Sequence, residues 1–158
     1  FPKSVGQIPF AFPFKPGSDE SSETSVYGAL YPFGHGLSYT TFQYSDLVIS
    51  PSKQGVQGNI SISCTIKNIG QREGDEVVQL YLRDEVSSVT TYTQVLRGFE
   101  RITLKPEASH TVHFELTPQE LGIWDKQMNF TVEPGMFKVM IGSSSKDIRL
   151  KGEFEIAQ

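Results

Sequence analysis

The sequence predicts an all-β chain built as two β-sheets packed face to face, and three observations lead there. Apolar residues recur with a period of two in one stretch after another, turn-forming residues separate those stretches, and the stretches are too many to lie in one open sheet. Successive strand side chains face opposite ways, so each such stretch has one apolar and one polar face. An open sheet of them would leave its whole apolar face bare, whereas two sheets bury their faces against each other.

The first strand is predicted at about 44–50 and the second at about 59–68, where Ile60, Ile62, Cys64 and Ile66 alternate with Ser61, Ser63, Thr65 and Lys67. In the third, at about 76–84, Val78, Leu80 and Leu82 make the apolar face and Gln79, Tyr81 and Arg83 the wet one. The fourth, at about 94–104, changes parity near Gly98, which predicts a bulge there. Val112, Phe114 and Leu116 define a fifth strand at about 109–116. Thr117-Pro118 then predicts a short helical turn, with a cap residue followed by proline at the first helical position. A small hairpin around Trp124 and Phe130 comes next. Strands at about 135–142 and 147–156 follow, carried by Phe137, Val139 and Ile141 and by Ile148, Leu150, Phe154 and Ile156. Turns fall at Gly55 to Gly58, Asn68 to Gly74, Lys105-Pro106-Glu107, Glu133-Pro134-Gly135 and Ser143 to Lys146. Seven strands of this size predict an immunoglobulin-like sandwich over 42–158.

Residues 1–41 differ in character. Prolines at 2, 9 and 13 and aperiodic phenylalanines mark an irregular leader, and Gly17 to Ser25 is polar and turn-forming. Phe10, Phe12 and Phe14 have nothing in the leader to bury them, which predicts a partner domain outside this chain. Tyr31-Pro32-Phe33-Gly34-His35-Gly36-Leu37-Ser38-Tyr39 reads as an aromatic connector, because proline and glycine rule out a long helix or a central strand. With no initiator Met and no signal-like start, the chain reads as a cut fragment.

Composition narrows the function classes. With 37% hydrophobic and 20% charged residues the chain is globular, and its net charge of -4 offers no basic stripe for nucleic acid. The lone Cys64 excludes an intrachain disulfide and a cysteine-based zinc site. No apolar run approaches the roughly 20 residues that cross a bilayer. His110 and His113, three apart on a strand, face opposite ways and share no metal, so neither metal nor cofactor is expected. Of the local carboxylate pairs, Asp75/Glu76 and Asp84/Glu85 diverge, while Glu153/Glu155 share a solvated face with Lys151 and Arg149; none reads as a catalytic pair. Trp124, Tyr81 and Tyr92 are the candidates for stacking on a sugar ring, with core or interface packing as the alternative for Trp124 at a partly buried corner. Tyr92 lies in a loop, 86–93, able to reach a neighbouring domain.

Four motifs, in order, resemble the end of family 3 glycoside hydrolases. Phe1 to Pro9 (FPKSVGQIP) is similar to the close of their α/β sandwich domain, and Tyr31 to Phe42 to the junction that follows it. Val95 to Pro106 (VLRGFERITLKP) and Val132 to Ser145 (VEPGMFKVMIGSSS) are similar to signatures of their fibronectin type III-like module, with Glu107-Ala108 where Gly-Glu is usual. The resemblance implies a β-glucosidase or β-xylosidase type parent, exo-acting on terminal β-linked sugars and periplasmic or secreted. Its catalytic Asp and Glu lie upstream of this segment, so no catalytic residue is carried over. A retaining pair needs two carboxyl groups about 5 Å apart. The fragment is then a non-catalytic accessory module whose partners are the catalytic domains of its own parent chain. Tyr31, Phe33, His35 and Tyr39 are assigned to interdomain packing, and His35 to packing and hydrogen bonding in the connector rather than to substrate. A carbohydrate-binding module, meeting an oligo- or polysaccharide through exposed aromatics, is the alternative.

Overall fold

The structure, a computed structural model, describes Phe12, Pro13 and residues 30–158. The motif at Phe1 to Pro9, the polar stretch Gly17 to Ser25, and Phe10 and Phe14 lie outside the described residues. The elements are β1 (Phe42–Ser50), β2 (Lys53–Gly55), β3 (Ile60–Asn68), β4 (Gly74–Asp84), β5 (Val95–Leu104), β6 (Ser109–Leu116), α1 (Pro118–Leu121), β7 (Ile123–Trp124), β8 (Phe130–Thr131), β9 (Gly135–Gly142) and β10 (Ile148–Ala157). A three-stranded sheet, β1-β3-β6, faces a five-stranded one, β2-β10-β9-β4-β5, and β7-β8 forms a separate hairpin. The two-sheet sandwich is as the alternation predicts.

The core lies between the sheets. Ile60, Ile62, Cys64 and Ile66 of β3 share one buried cluster with Val78, Leu80 and Leu82 of β4, Val139 and Ile141 of β9, and Phe154 and Ile156 of β10. Phe137 and Phe154 stack across β9 and β10 with ring centroids 5.4 Å apart. The Cys64 thiol is fully buried, which raises its pKa to about 11 and leaves it inert at neutral pH.

Local signals fall where the sequence places them. In the β4–β5 ladder Leu80 pairs with Gly98 and Tyr81 with Leu96, so Arg97 is the extra residue of a bulge. A Cβ on Gly98 would come within 2.9 Å of the Phe114 ring of the facing sheet, so close packing as well as the bulge requires glycine. The Thr117 amide donates to Glu120 Oε2 at 2.8 Å at the start of α1.

Three readings are corrected. Strand β2 is additional: Lys53-Gln54-Gly55 has no apolar period and is held by parallel backbone pairing with Glu155, Ile156 and Ala157. Tyr81 and Gln79 are not on a wet face; both are buried, because the outer side of β4 is covered by the connector. Phe12 does not await another domain, since its ring stacks on Phe33 at 4.4 Å and meets Tyr81 edge-on at 5.9 Å.

Asn68, fully buried at the end of β3, ties three segments together. Its amide nitrogen donates to the carbonyls of Arg72 (2.7 Å) and Leu104 (2.8 Å), and its amide oxygen accepts from the Thr40 hydroxyl (2.7 Å) and the Gly70 amide (3.0 Å). Its backbone carbonyl accepts from Glu107 N at 2.9 Å. Every polar atom of the side chain is thus satisfied, as burial demands.

Glu107 stands in the left-handed region at φ 63°, which explains why glycine is usual at this turn. A non-glycine residue there costs about 1–2 kcal/mol, partly offset by the smaller entropy it loses on folding. Its exposed ion pair with Lys67 (2.6 Å) adds little. Glu107→Gly is therefore expected to raise stability by about 0.5–1 kcal/mol in urea unfolding, with an unchanged m-value.

Candidate functional site

One glutamine fastens the middle of the connector to the outer face of the five-stranded sheet. Gln79 sits mid-strand in β4 at 4% exposure. Its amide nitrogen donates to the Gly34 carbonyl at 3.0 Å and the Ser143 carbonyl at 2.6 Å, and its amide oxygen accepts from the Tyr81 hydroxyl at 2.5 Å. Burial pushes the Tyr81 phenol up to about 12, so it stays a donor at physiological pH. Gly34 adopts φ +77°, and a Cβ there would run into the Gln79 amide oxygen. The glycine of the Phe33-Gly34-His35 motif is thus needed for conformation and for space.

The Gly142-Ser143-Ser144-Ser145 motif receives the other side of the connector. Ser145 N donates to the Phe33 carbonyl at 2.9 Å, while the Ser145 carbonyl accepts from Gln94 Nε2 at 2.8 Å. The turn is braced by Asp147, which accepts from the Ser143 hydroxyl at 2.6 Å and pairs with Arg149 at 2.8 Å. Arg149 also donates to the Phe42 carbonyl at 2.7 Å and lies over the Tyr44 ring at 5.0 Å. Two stretches distant in sequence, 33–42 and 142–149, are thereby joined where the connector enters β1.

With its backbone held, the connector presents side chains outward. Tyr31 stacks on His35 with ring centroids 5.0 Å apart. Leu37 and Tyr39 are each 93% exposed, and Leu30, Tyr31 and Phe33 are also open to solvent. Large apolar groups thus adjoin one another, exposed, on a fixed backbone.

The three sugar-stacking candidates part company. Tyr81 is removed by its burial. Trp124, expected at a partly buried corner, is instead 59% exposed on the β7–β8 hairpin, with Phe130 edge-on at 5.5 Å. Only two residues of each hairpin strand pair, too few to fold the tryptophan into the core. Tyr92 and Trp124 line the same cavity of about 260 Å³. Neither spacing nor periodicity announces that meeting, because it depends on the path of the 85–94 loop.

The carboxylates are otherwise engaged. Asp75 binds the Thr103 hydroxyl at 2.6 Å and the Arg101 guanidinium, bonds that hold its carboxyl below the usual range. Glu85 lies 3.0 Å from both Arg83 and Lys138, and Glu155 lies 2.7 Å from Lys53. Burial pushes Glu76 and Asp84 upward. His110 lies 3.5 Å from Glu100, and no metal-ligating cluster occurs among the described residues.

Residues 76–145 match the family model of the fibronectin type III-like domain. The periplasmic β-glucosidase of Salmonella typhimurium is 41% identical over 99% of this chain, and a β-xylosidase of Formosa agariphila 42% identical over 96%. Among solved structures, a β-glucosidase of Erythrobacter marinus superposes with a TM-score of 0.87 at 36% identity over 97% of the chain. A β-glucosidase of Listeria innocua in complex with glucose gives 0.75 at 34% over 82%. The chain spans about a fifth of each of these proteins: 22%, 21%, 20% and 18% respectively.

The Asp147 carboxyl is held below its ordinary value, first by its hydrogen bonds from Arg149 and then by the Ser143 hydroxyl. A carboxyl with a depressed folded-state pKa stabilises fully above its unfolded value and loses that contribution as pH falls through the folded one. Asp147→Asn is therefore expected to lower the melting temperature above about pH 5, with the gap to the unsubstituted chain closing below about pH 4. A gap of constant size across that range would show that the carboxylate charge is not what braces the turn.

Proposed function

We propose, because this chain carries a fibronectin type III-like domain of the kind found in β-glucosidases and β-xylosidases, that it is the non-catalytic C-terminal accessory module of an exo-acting β-glycosidase. Residues 1–41 are then the end of the preceding domain and the connector, and 42–158 the module. The parent hydrolyses terminal β-linked sugars and is periplasmic or secreted. The module packs on the catalytic domains through Tyr31, Phe33, His35 and Tyr39, with Leu37 among them.

One observation carries this reading: the connector is bonded to the sandwich through its backbone while its largest apolar side chains are left outside. The backbone of such a strip is already ordered, so docking has only its side chains left to immobilise. A fully buried side chain of this size contributes about 1.5–3 kcal/mol before the cost of association.

The test places Leu37→Asp and Tyr39→Asp together in the parent enzyme and in this chain. Both side chains are almost wholly exposed here, so the isolated chain is expected to melt unchanged. The parent is expected to melt at a lower temperature than the unsubstituted enzyme and to inactivate faster, as read on an aryl β-glycoside. A parent indifferent to both changes would refute docking through the connector. Hydrolysis by the isolated chain, abolished by replacing one of its own carboxylates, would refute its non-catalytic role.

A further inference from the structure

We propose that the cavity between the 85–94 loop, the bulge of β5 and the β7–β8 hairpin is a saccharide subsite that takes a single pyranose ring between Trp124 and Tyr92. Its sugar class rests on the glycosidase reading above, but its geometry does not.

Trp124 is the only tryptophan of the chain and stands mostly in solvent, whereas tryptophan is usually well buried. It is nevertheless held in place. Trp124 pairs with Phe130 and Ile123 with Thr131. At the hairpin tip Asp125 Oδ1 accepts from the amides of Gln127 and Asn129, each at 2.8 Å. Tyr92 comes from a loop that is itself tied down, since Ser88 N donates to Glu133 Oε2 at 2.8 Å and Val86 N to Asp84 Oδ1 at 3.2 Å. With Gln94 Nε2 bonded to the Ser145 carbonyl at 2.8 Å at its far end, the loop brings Tyr92 to a cavity shared with a braced Trp124, and flat rings of this kind suit the C–H faces of a pyranose.

The polar groups complete the fit. Arg97 is the extra residue of the β5 bulge and lines the cavity, so the bulge aims a planar five-donor fork into it. Asp84 adds an acceptor, and Leu82 and Phe137 an apolar floor. Ring hydroxyls both donate and accept, so they can use the guanidinium and the carboxylate at once. A volume of about 260 Å³ falls just below the roughly 300–1,000 Å³ of sites for drug-sized ligands, which suits one ring and not a chain.

Because Trp124 is unique, the intrinsic tryptophan fluorescence of the intact 158-residue chain reports on this site alone. Titration with methyl β-D-glucopyranoside and with methyl β-D-xylopyranoside is expected to give a saturable change in emission, with half-saturation at about 1–10 mM for at least one of them. Tyr92→Ala and Arg97→Met, both at exposed positions, are each expected to weaken binding about tenfold or more while the chain stays folded. A response that is absent, linear with concentration, equalled by glycerol, or untouched by both substitutions would overturn the subsite. Such a failure is distinct from failure of the docking reading, which the Leu37 and Tyr39 changes in the parent decide separately.

Discussion

The buried amide of Gln79 is the constraint on which the connector's position depends. A primary amide taken out of water without partners costs about 2–7 kcal/mol, so a glutamine in the middle of a central strand must be fully bonded. Its bonds run to Tyr81 on its own strand, to Gly34 in the connector and to Ser143 in the β9–β10 turn. Remove the connector and the amide loses one acceptor, while the Phe12 ring set edge-on against Tyr81 loses the Phe33 ring that backs it. Sandwich and connector are therefore one packed unit, with Asn68 making a second attachment through Thr40.

That arrangement gives physical meaning to motifs that otherwise stand apart in the sequence. Gly34 is glycine because of its positive φ and the glutamine beneath it. The serine run at 143–145 supplies one carbonyl to Gln79 and one amide to Phe33. Gly98 is glycine because it opens a bulge beside the Phe114 ring, and the same bulge turns Arg97 toward the hairpin cavity. The outward strip at 30–39 and the aromatic hairpin at 123–131 then present two surfaces of different character, the first mainly apolar and the second aromatic with charged groups beside it.

Much of this was legible in the sequence, and the misses share a cause. The alternation of Ile60, Ile62, Cys64 and Ile66 reports a strand with one buried face, and β3 is that strand. The parity change at Gly98 and the Thr117-Pro118 pair locate the bulge and the helical turn, because both are local rules. Gln79 and Tyr81 break the same alternation rule, since period two identifies a polar face but not whether another segment covers it. Strand β2 leaves no apolar trace because backbone pairing and an exposed Lys53–Glu155 ion pair hold it, not an apolar face. Trp124 follows the same logic in reverse: tryptophan's general tendency to be buried yields to a hairpin too short to reach the core. The pairing of Trp124 with Tyr92 in one cavity depends on loop geometry, which no local pattern encodes.

The most direct test of the connector's attachment is amide hydrogen exchange at Ser145, whose N–H is bonded to the Phe33 carbonyl, in the unsubstituted chain and in Gln79→Met. Methionine keeps the volume and removes the amide. If Gln79 anchors the connector, the Ser145 amide is protected in the unsubstituted chain and exchanges at least about tenfold faster in the variant, while the β3 amide of Cys64 keeps its protection. Equal exchange at Ser145 in the two proteins, with the fold intact, would contradict the claim that the Gln79 amide anchors the connector.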